Sequence, residues 1–261
     1  MAELQHPAAL PLPLSAAAGM APAPVMESTP TVNADLFPAA PPARLPIAGI
    51  DALFPVHRIY CIGRNYAEHA REMGAPVEKG TPAFFLKPGD AVTPLPGDIA
   101  YPPGTSDLHH EVELVAALHR GGRDIDPAQA LDCVYGYAIG LDLTRRDLQA
   151  AAKARSLPWD TGKSFEAAAP IGPIHRVDEI GHPQHGGIEL AVNGETRQRG
   201  ELADQLFSVA EIIAALSRLY TLAPGDLVFT GTPAGVGALQ VGDRVQAHIA
   251  GLGSLDARII A

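Results

Sequence analysis

"SDLHHEVELVAAL", residues 106–118, reads as a buried β-strand that nevertheless carries Glu111 and Glu113. Alternate residues of a strand share a face, so the two carboxylates point the same way with Cα atoms roughly 7 Å apart. Their outer oxygens can converge. Like charges this close resist joint ionisation, and burying either one without a partner is costly. Two arrangements satisfy that constraint. In one, a divalent cation sits between the carboxylates. In the other, the stretch is an edge strand with one wet face, on which His109, Glu111 and Glu113 alternate outward against His110, Val112 and Leu114.

A third carboxylate shifts the balance towards the cation. "CVYGYAIGLDL", residues 133–143, reads as a second buried strand that terminates at Asp142, where burial again demands a partner. Three hard oxygen donors without cysteine suit Mg²⁺ or Mn²⁺ better than Zn²⁺ and leave coordination positions open for water or substrate.

The segments around these two strands read as mixed structure in which strands outnumber helices. "HRIYCIG" (57–63) is the first firm strand. In "RNYAEHAREMG" (64–74), Asn65 is expected to cap a short helix with Glu68 reciprocating and Gly74 marking its end. His69 and Glu72, three residues apart, then share a face. "TRRDLQAAAKARSL" (144–157) reads as a helix capped by Thr144 with Asp147 reciprocating, and Arg146, Gln149 and Lys153 along one side. "GIELAVNGETRQRG" (187–200) is a hairpin turning at Asn193 and Gly194, and "SVAEIIAALSRLYTL" (208–222) is an amphipathic helix. "GHPQHGG" (181–187) reads as a solvated loop rather than a zinc site, and His110 as a core residue or a partner to the metal ligands.

The totals bound the function. The chain has 261 residues, 47% hydrophobic, enough for one large core or a main domain with a small appendage. The formal net charge of -10, with no Lys/Arg run, argues against nucleic-acid binding. Two cysteines, Cys61 and Cys133, give no disulfide framework, so a reducing cytoplasm is expected. No apolar run is long enough to span a membrane, and the Ala/Pro-rich start lacks the basic region of a signal peptide. The expected organisation is a flexible tail over 1–30, an N-terminal arm or small subdomain over 31–54, and a catalytic domain over 55–261.

Six motifs in order carry a resemblance: "GRNYAEHAREMG", "FLKP", "HHEVEL", "GLDLTRRDLQ", "LPWDTGKSFEAAAPIGP" and "VFTGTPAGVG". Together they resemble the fumarylacetoacetate hydrolase (FAH) family, in particular its short acylpyruvate-hydrolase branch and, within it, the bacterial fumarylpyruvate hydrolases of gentisate breakdown. The resemblance runs from about Pro55 to the C-terminus and leaves the N-terminal tail outside.

The resemblance implies a mainly β fold with some α, an FAH-type mixed β-sandwich or β-roll with a few short helices, and a homodimer. It implies Glu111, Glu113 and Asp142 as ligands of Mg²⁺ or Mn²⁺, in agreement with the reading of the residues. It further implies His69 and Glu72 as a water-activating dyad, and Lys163 as a cation balancing developing negative charge. Arg146, Gln149 and Thr232 are implied as substrate-binding, although Arg145 competes with Arg146 because only one of the adjacent pair can face inward. The implied reaction is hydrolysis of a C–C bond in an acylpyruvate, such as fumarylpyruvate, to fumarate and pyruvate. Oxaloacetate decarboxylation, or isomerisation and decarboxylation of hydroxymuconate-type acids, is the alternative on the same scaffold.

Overall fold

The computed structural model describes residues 35–38, 40–72, 74 and 79–261. The expected tail over 1–30 lies outside the described residues, as do residues 31–34 of the expected arm. The chain divides into two units, Met1–Ala40 and Pro41–Ala261. Of the first, only residues 35–38 and 40 are described, and they form no helix or strand.

The second unit is mainly β, as expected, and is organised around a sheet that crosses its core. In spatial order its strands are Ala83–Lys87, Ile59–Gly63, Leu227–Phe229, Val112–Leu118, Val134–Leu141, Ala169–Ile171 and Val92–Pro94, with His175–Arg176 added beside Val134–Leu141. Its central strands are covered on both faces, and their sequences are continuous apolar runs rather than alternating ones. Every residue of Val112–Leu118 is buried. That strand has Leu227–Phe229 on one side and Val134–Leu141 on the other, both antiparallel, so the edge-strand arrangement does not hold.

A second sheet, antiparallel except for the parallel pairing of its last two strands, follows the other pattern. Its order is Glu195–Glu201, Gly187–Val192, Arg244–Ile249, Gly253–Ile260 and Gly97–Ala100. Ile188, Leu190 and Val192, with Val245, Ala247 and Ile249, alternate into the core while their neighbours face outward. Asn193 and Gly194 both adopt positive φ, 54° and 82°, which gives the expected tight hairpin turn. Residues 44–55 form a small hairpin, Arg44–Pro46 against Leu53–Pro55, that buries Leu45 and Phe54 and is tied to the body by Ala48 N–H donating to the Ile174 carbonyl. The helix Val209–Leu219 buries one apolar face and starts with a capping box between Ser208 and Glu211. No helix among the described residues is long and apolar enough to cross a membrane.

Three local expectations are corrected. The stretch 106–118 is not one strand: Leu108–His110 pairs with Thr144–Arg145 and Gly237–Leu239 in a separate sheet, and the chain changes sheets at Glu111. Thr144 is not a helix cap. It sits in that small sheet, and its hydroxyl is directed to Glu111 Oε1 and the Asp142 carbonyl, while Asp147 instead accepts from Thr105 Oγ1 and Ser106 N–H. Asn65 spends its side chain elsewhere, donating to the carbonyls of Phe207 and Thr230 and accepting from Phe207 N–H, so the helix Ala67–Glu72 begins without it. In both cases a distant partner outbids a local cap, because the buried side chain must satisfy more groups than a cap offers.

Gly140 shows how tightly the central sheet is packed. A Cβ placed there would lie 2.6 Å from Val115 Cγ2 and 2.8 Å from Phe229 Cε1. Gly140→Ala is therefore expected to cost about 1–3 kcal/mol through overpacking. Urea unfolding measures this, and an unchanged midpoint would contradict the packing described.

Candidate functional site

The antiparallel register of the two central strands builds the site. Val112 lies opposite Leu141 and Glu113 opposite Gly140, so Glu111 and Asp142 meet at the end of the ladder, where Asp142 N–H donates to the Glu111 carbonyl at 2.8 Å. One oxygen from each of Glu111, Glu113 and Asp142 falls within 4.8 Å of the others, and all three residues are buried. Fully burying a leucine such as Leu114 contributes about 1.5–3 kcal/mol. One buried carboxylate without compensation would cancel such a gain, so three in a cluster require opposing charge.

Part of that charge comes from the chain. Lys163, at the end of the short helix Asp160–Lys163, donates to Glu111 Oε2 at 2.8 Å and Asp142 Oδ2 at 2.7 Å. Arg146 donates to Glu111 Oε1 at 2.6 Å and to Gln149 Oε1 at 2.7 Å. Lys87, wholly buried at the end of the strand Ala83–Lys87, places Nζ 2.9 Å from Asp142 Oδ1 and donates to the carbonyls of Leu143 and Lys163. Burial opposes the Lys163 charge, but Asp142 and Glu111 outweigh it and hold the ammonium above its usual range. Burial likewise works against ionised Glu111, yet Lys163 and Arg146 hold its carboxyl below the usual carboxylate range.

Glu113 is the member left uncompensated. Burial, then the neighbouring Asp142 and Glu111 charges, push its carboxyl well above the usual range, against a single hydrogen bond of 2.6 Å from Gly231 N–H. Asp142 Oδ1 also completes no hydrogen bond, its contact with Lys87 being off the bonding direction. A cluster of three hard carboxylates with one member uncompensated and one oxygen unsatisfied fits a divalent cation such as Mg²⁺ or Mn²⁺.

The other expected site residues converge on the same cleft. His69, Arg146, Gln149, Lys163 and Thr232 line it together with the three carboxylates. Glu72 stands behind His69, with Oε2 3.2 Å from His69 Nδ1, and accepts from Gly235 N–H at 3.3 Å. The choice between the adjacent arginines is resolved by packing. Arg146 turns into the cleft, while Arg145 stacks over the Phe165 ring at 4.3 Å and donates to the Thr161 carbonyl. Arg64 and Lys153 add positive charge at the lining, and Phe84, Phe85 and Trp159 supply an apolar wall. Gly231 lets the 230–233 loop close over Glu113. Its φ is 97°, and a Cβ there would lie 2.6 Å from Asn65 Cβ.

Lys87 received no role from the sequence, although its position held a signal: a lysine ending an apolar strand, "AFFLK", raises the same question of a buried charge as Asp142 does. Of the remaining histidines, His110 is buried against Gln198, and His182 bonds the Tyr137 hydroxyl rather than standing free in solvent.

The chain matches the family described as fumarylacetoacetate (FAA) hydrolase C-terminal over residues 58–260. It belongs to the fumarylacetoacetate hydrolase family. Its fold is similar to the crystal structure of fumarylpyruvate hydrolase from Pseudomonas aeruginosa in complex with Mn²⁺ and pyruvate, with a TM-score of 0.85 and 50% identity, covering 87% of this chain and 99% of that one. It is also similar to 5-carboxymethyl-2-hydroxymuconate delta-isomerase from Mycobacterium smegmatis, with a TM-score of 0.70 and 33% identity over 78% of this chain and 79% of that one. Among curated relatives, the mitochondrial oxaloacetate tautomerase FAHD1 of Bos taurus is 42% identical over 203 residues, 77% of this chain and 90% of the relative.

The charge imbalance at Glu113 generates a prediction of opposite signs. Glu113→Gln keeps an acceptor for Gly231 N–H but removes the uncompensated acid, so the metal-free protein should melt higher, by a few degrees. Mn²⁺ affinity should meanwhile fall by on the order of 10²-fold. Melting in EDTA and Mn²⁺ titration by electron paramagnetic resonance measure the two. Unchanged Mn²⁺ affinity would remove Glu113 from the ligand set.

Proposed function

We propose that this protein is a Mg²⁺- or Mn²⁺-dependent hydrolase that cleaves an acylpyruvate, with fumarylpyruvate to fumarate and pyruvate as the leading reaction. The observation that carries the reading is one cleft holding three buried carboxylates, a His–Glu pair and Lys163. The likeness to the Pseudomonas aeruginosa enzyme supports the choice of substrate.

Glu111, Glu113 and Asp142 would hold the metal, which supplies Lewis-acid stabilisation for negative charge on the 2-oxo oxygen. The chain's own residues account for the rest. Arg146, Gln149 and Thr232 bind and orient the pyruvoyl end. The Arg146 guanidinium is suited to a carboxylate, and Gln149, held by Arg146, is fixed in rotamer. The aromatic wall of Phe84, Phe85 and Trp159 flanks the acyl chain and excludes water from that side.

His69 is the general base. Glu72 occupies Nδ1, which leaves Nε2 to take a proton from water as the oxygen attacks the distal carbonyl. The bond between C3 and the attacked carbon then breaks, its electron pair passes to the pyruvate enolate, and Lys163 balances that charge. The proton held by His69 returns to C3 and gives pyruvate, while the acyl half leaves as its carboxylic acid and ionises to the carboxylate by releasing a proton to solvent. The reading includes a cytoplasmic location, in keeping with two buried, unpaired cysteines, and a homodimer.

A second reading is enol-forming chemistry on oxaloacetate, or on a hydroxymuconate-type acid, favoured by the 42% identity to oxaloacetate tautomerase. Decarboxylation of oxaloacetate needs no attacking water, whereas its tautomerisation still needs a base, so hydrolysis and decarboxylation separate at His69. His69→Ala should lower fumarylpyruvate hydrolysis by about 10²–10⁴-fold and leave oxaloacetate decarboxylation nearly unchanged. Loss of fumarylpyruvate absorbance with pyruvate release is the assay. Wild-type turnover of oxaloacetate but of no acylpyruvate would replace the first reading with the second.

A further inference from the structure

The strand Glu195–Glu201 is wet at every position except one, and the buried one is Gln198. A primary amide wholly shielded from water must have its hydrogen-bonding capacity met within the protein. Gln198 meets all of it. Its Oε1 accepts from Val112 N–H at 3.1 Å and lies 2.9 Å from His110 Nδ1. Its Nε2 donates to Thr232 Oγ1 at 2.7 Å and to the Pro233 carbonyl at 2.8 Å.

The chemistry of two of these partners leaves no freedom in the amide's orientation. A backbone N–H only donates and a backbone carbonyl only accepts, so the oxygen must face Val112 and the nitrogen Pro233. Two consequences follow for the groups sharing the amide. His110 must carry its hydrogen on Nδ1, since the Gln198 oxygen can only accept. Thr232 Oγ1 must accept, since the Gln198 nitrogen can only donate, and its own O–H is left for another acceptor. No such acceptor exists among the described residues, and the Thr232 side chain lines the cleft beside Glu111, Glu113 and Asp142.

We infer that Gln198 is a positioning residue that makes Thr232 an obligate hydrogen-bond donor into the cleft, aimed at a carboxylate or carbonyl oxygen of a bound 2-oxo acid. This rests on the 2-oxo-acid reading of the site. The same amide sets distance as well as direction, because Val112 lies between Glu111 and Glu113 in the chain. One side chain from the second sheet thereby registers the ligand-facing loop against the carboxylate pair. A glutamine is required. A carboxylate at position 198 would still accept from Val112 and His110 but would draw the Thr232 O–H towards itself and away from the cleft.

The test is a double-mutant cycle on the Mn²⁺-loaded protein with Gln198→Glu, Thr232→Val and the pair. Gln198→Glu should raise KM for fumarylpyruvate, and Kd for pyruvate and for oxalate, by about 10- to 100-fold, with kcat changed by less than about threefold. In the Thr232→Val background the same change should add less than about twofold, because the hydroxyl it steers is gone. Equal factors in both backgrounds, or a fall in kcat with KM unchanged, would overturn the inference. If Gln198→Glu fails to fold, Gln198→Met enters the same cycle with the same expected coupling. Coupling in pyruvate and oxalate binding without turnover of any acylpyruvate would sink the hydrolase reading alone. Hydrolysis without coupling would sink the role of Gln198 alone.

Discussion

The pairing of Val112–Leu118 with Val134–Leu141 is the constraint on which the rest of the structure depends. Because both strands are covered on both faces, any charge at the end of their ladder cannot be relieved by turning to water. The register puts Glu111 and Asp142 side by side and Glu113 against them. Lys163, Arg146 and Lys87 are drawn in from three other segments to answer that charge. All three pair with Glu111 or Asp142 and none with Glu113, which leaves the opening for a divalent cation. Arg64 and Lys153 at the lining extend the positive field outward.

The His69–Glu72 pair and the loop from 230 to 235 are attached to this centre by separate links. His69 is buried on a short helix, yet its partner Glu72 also accepts from Gly235 N–H in the loop that follows Thr232. Asn65 holds the start of that loop through the Thr230 carbonyl, and Gly231 N–H reaches Glu113. The loop from 230 to 235 therefore touches the dyad, a carboxylate of the cluster and Gln198. Under the proposed reaction, a ligand contacting Thr232 would be placed relative to all of them at once, the preorganisation that acid–base and electrostatic catalysis both need.

Legibility in the sequence followed the range of the interaction. The hairpin at Asn193 and Gly194 and the capping box at Ser208 and Glu211 are local rules, and both stand in the structure. The caps expected at Asn65 and Thr144 used the same local logic but yielded to partners 142 residues away for Asn65 and 33 for Thr144. Periodicity placed Glu111 and Glu113 on one face but read the chain from 106 to 118 as continuous. It could not see the change of sheet at Glu111, because Leu108–His110 and Val112–Leu118 are equally compatible with an extended backbone. Lys87 and Gln198 are invisible to the same local rules for a related reason. Each looks solvent-facing by residue type, and only their tertiary partners make them buried.

By itself, the sequence determined that two apolar strands carry three acids which need a cation, and that ordered motifs tie them to the FAH family. These are matters of residue type, spacing and order along the chain. The tertiary structure alone decided which arginine enters the cleft, which lysines neutralise the acids, and which way the Thr232 hydroxyl points. Such choices depend on contacts between segments far apart in sequence, where a hydrogen bond's direction is set by the one partner that cannot change its role. A backbone N–H at Val112 and a carbonyl at Pro233 are two such partners, and the orientation of the loop follows from them.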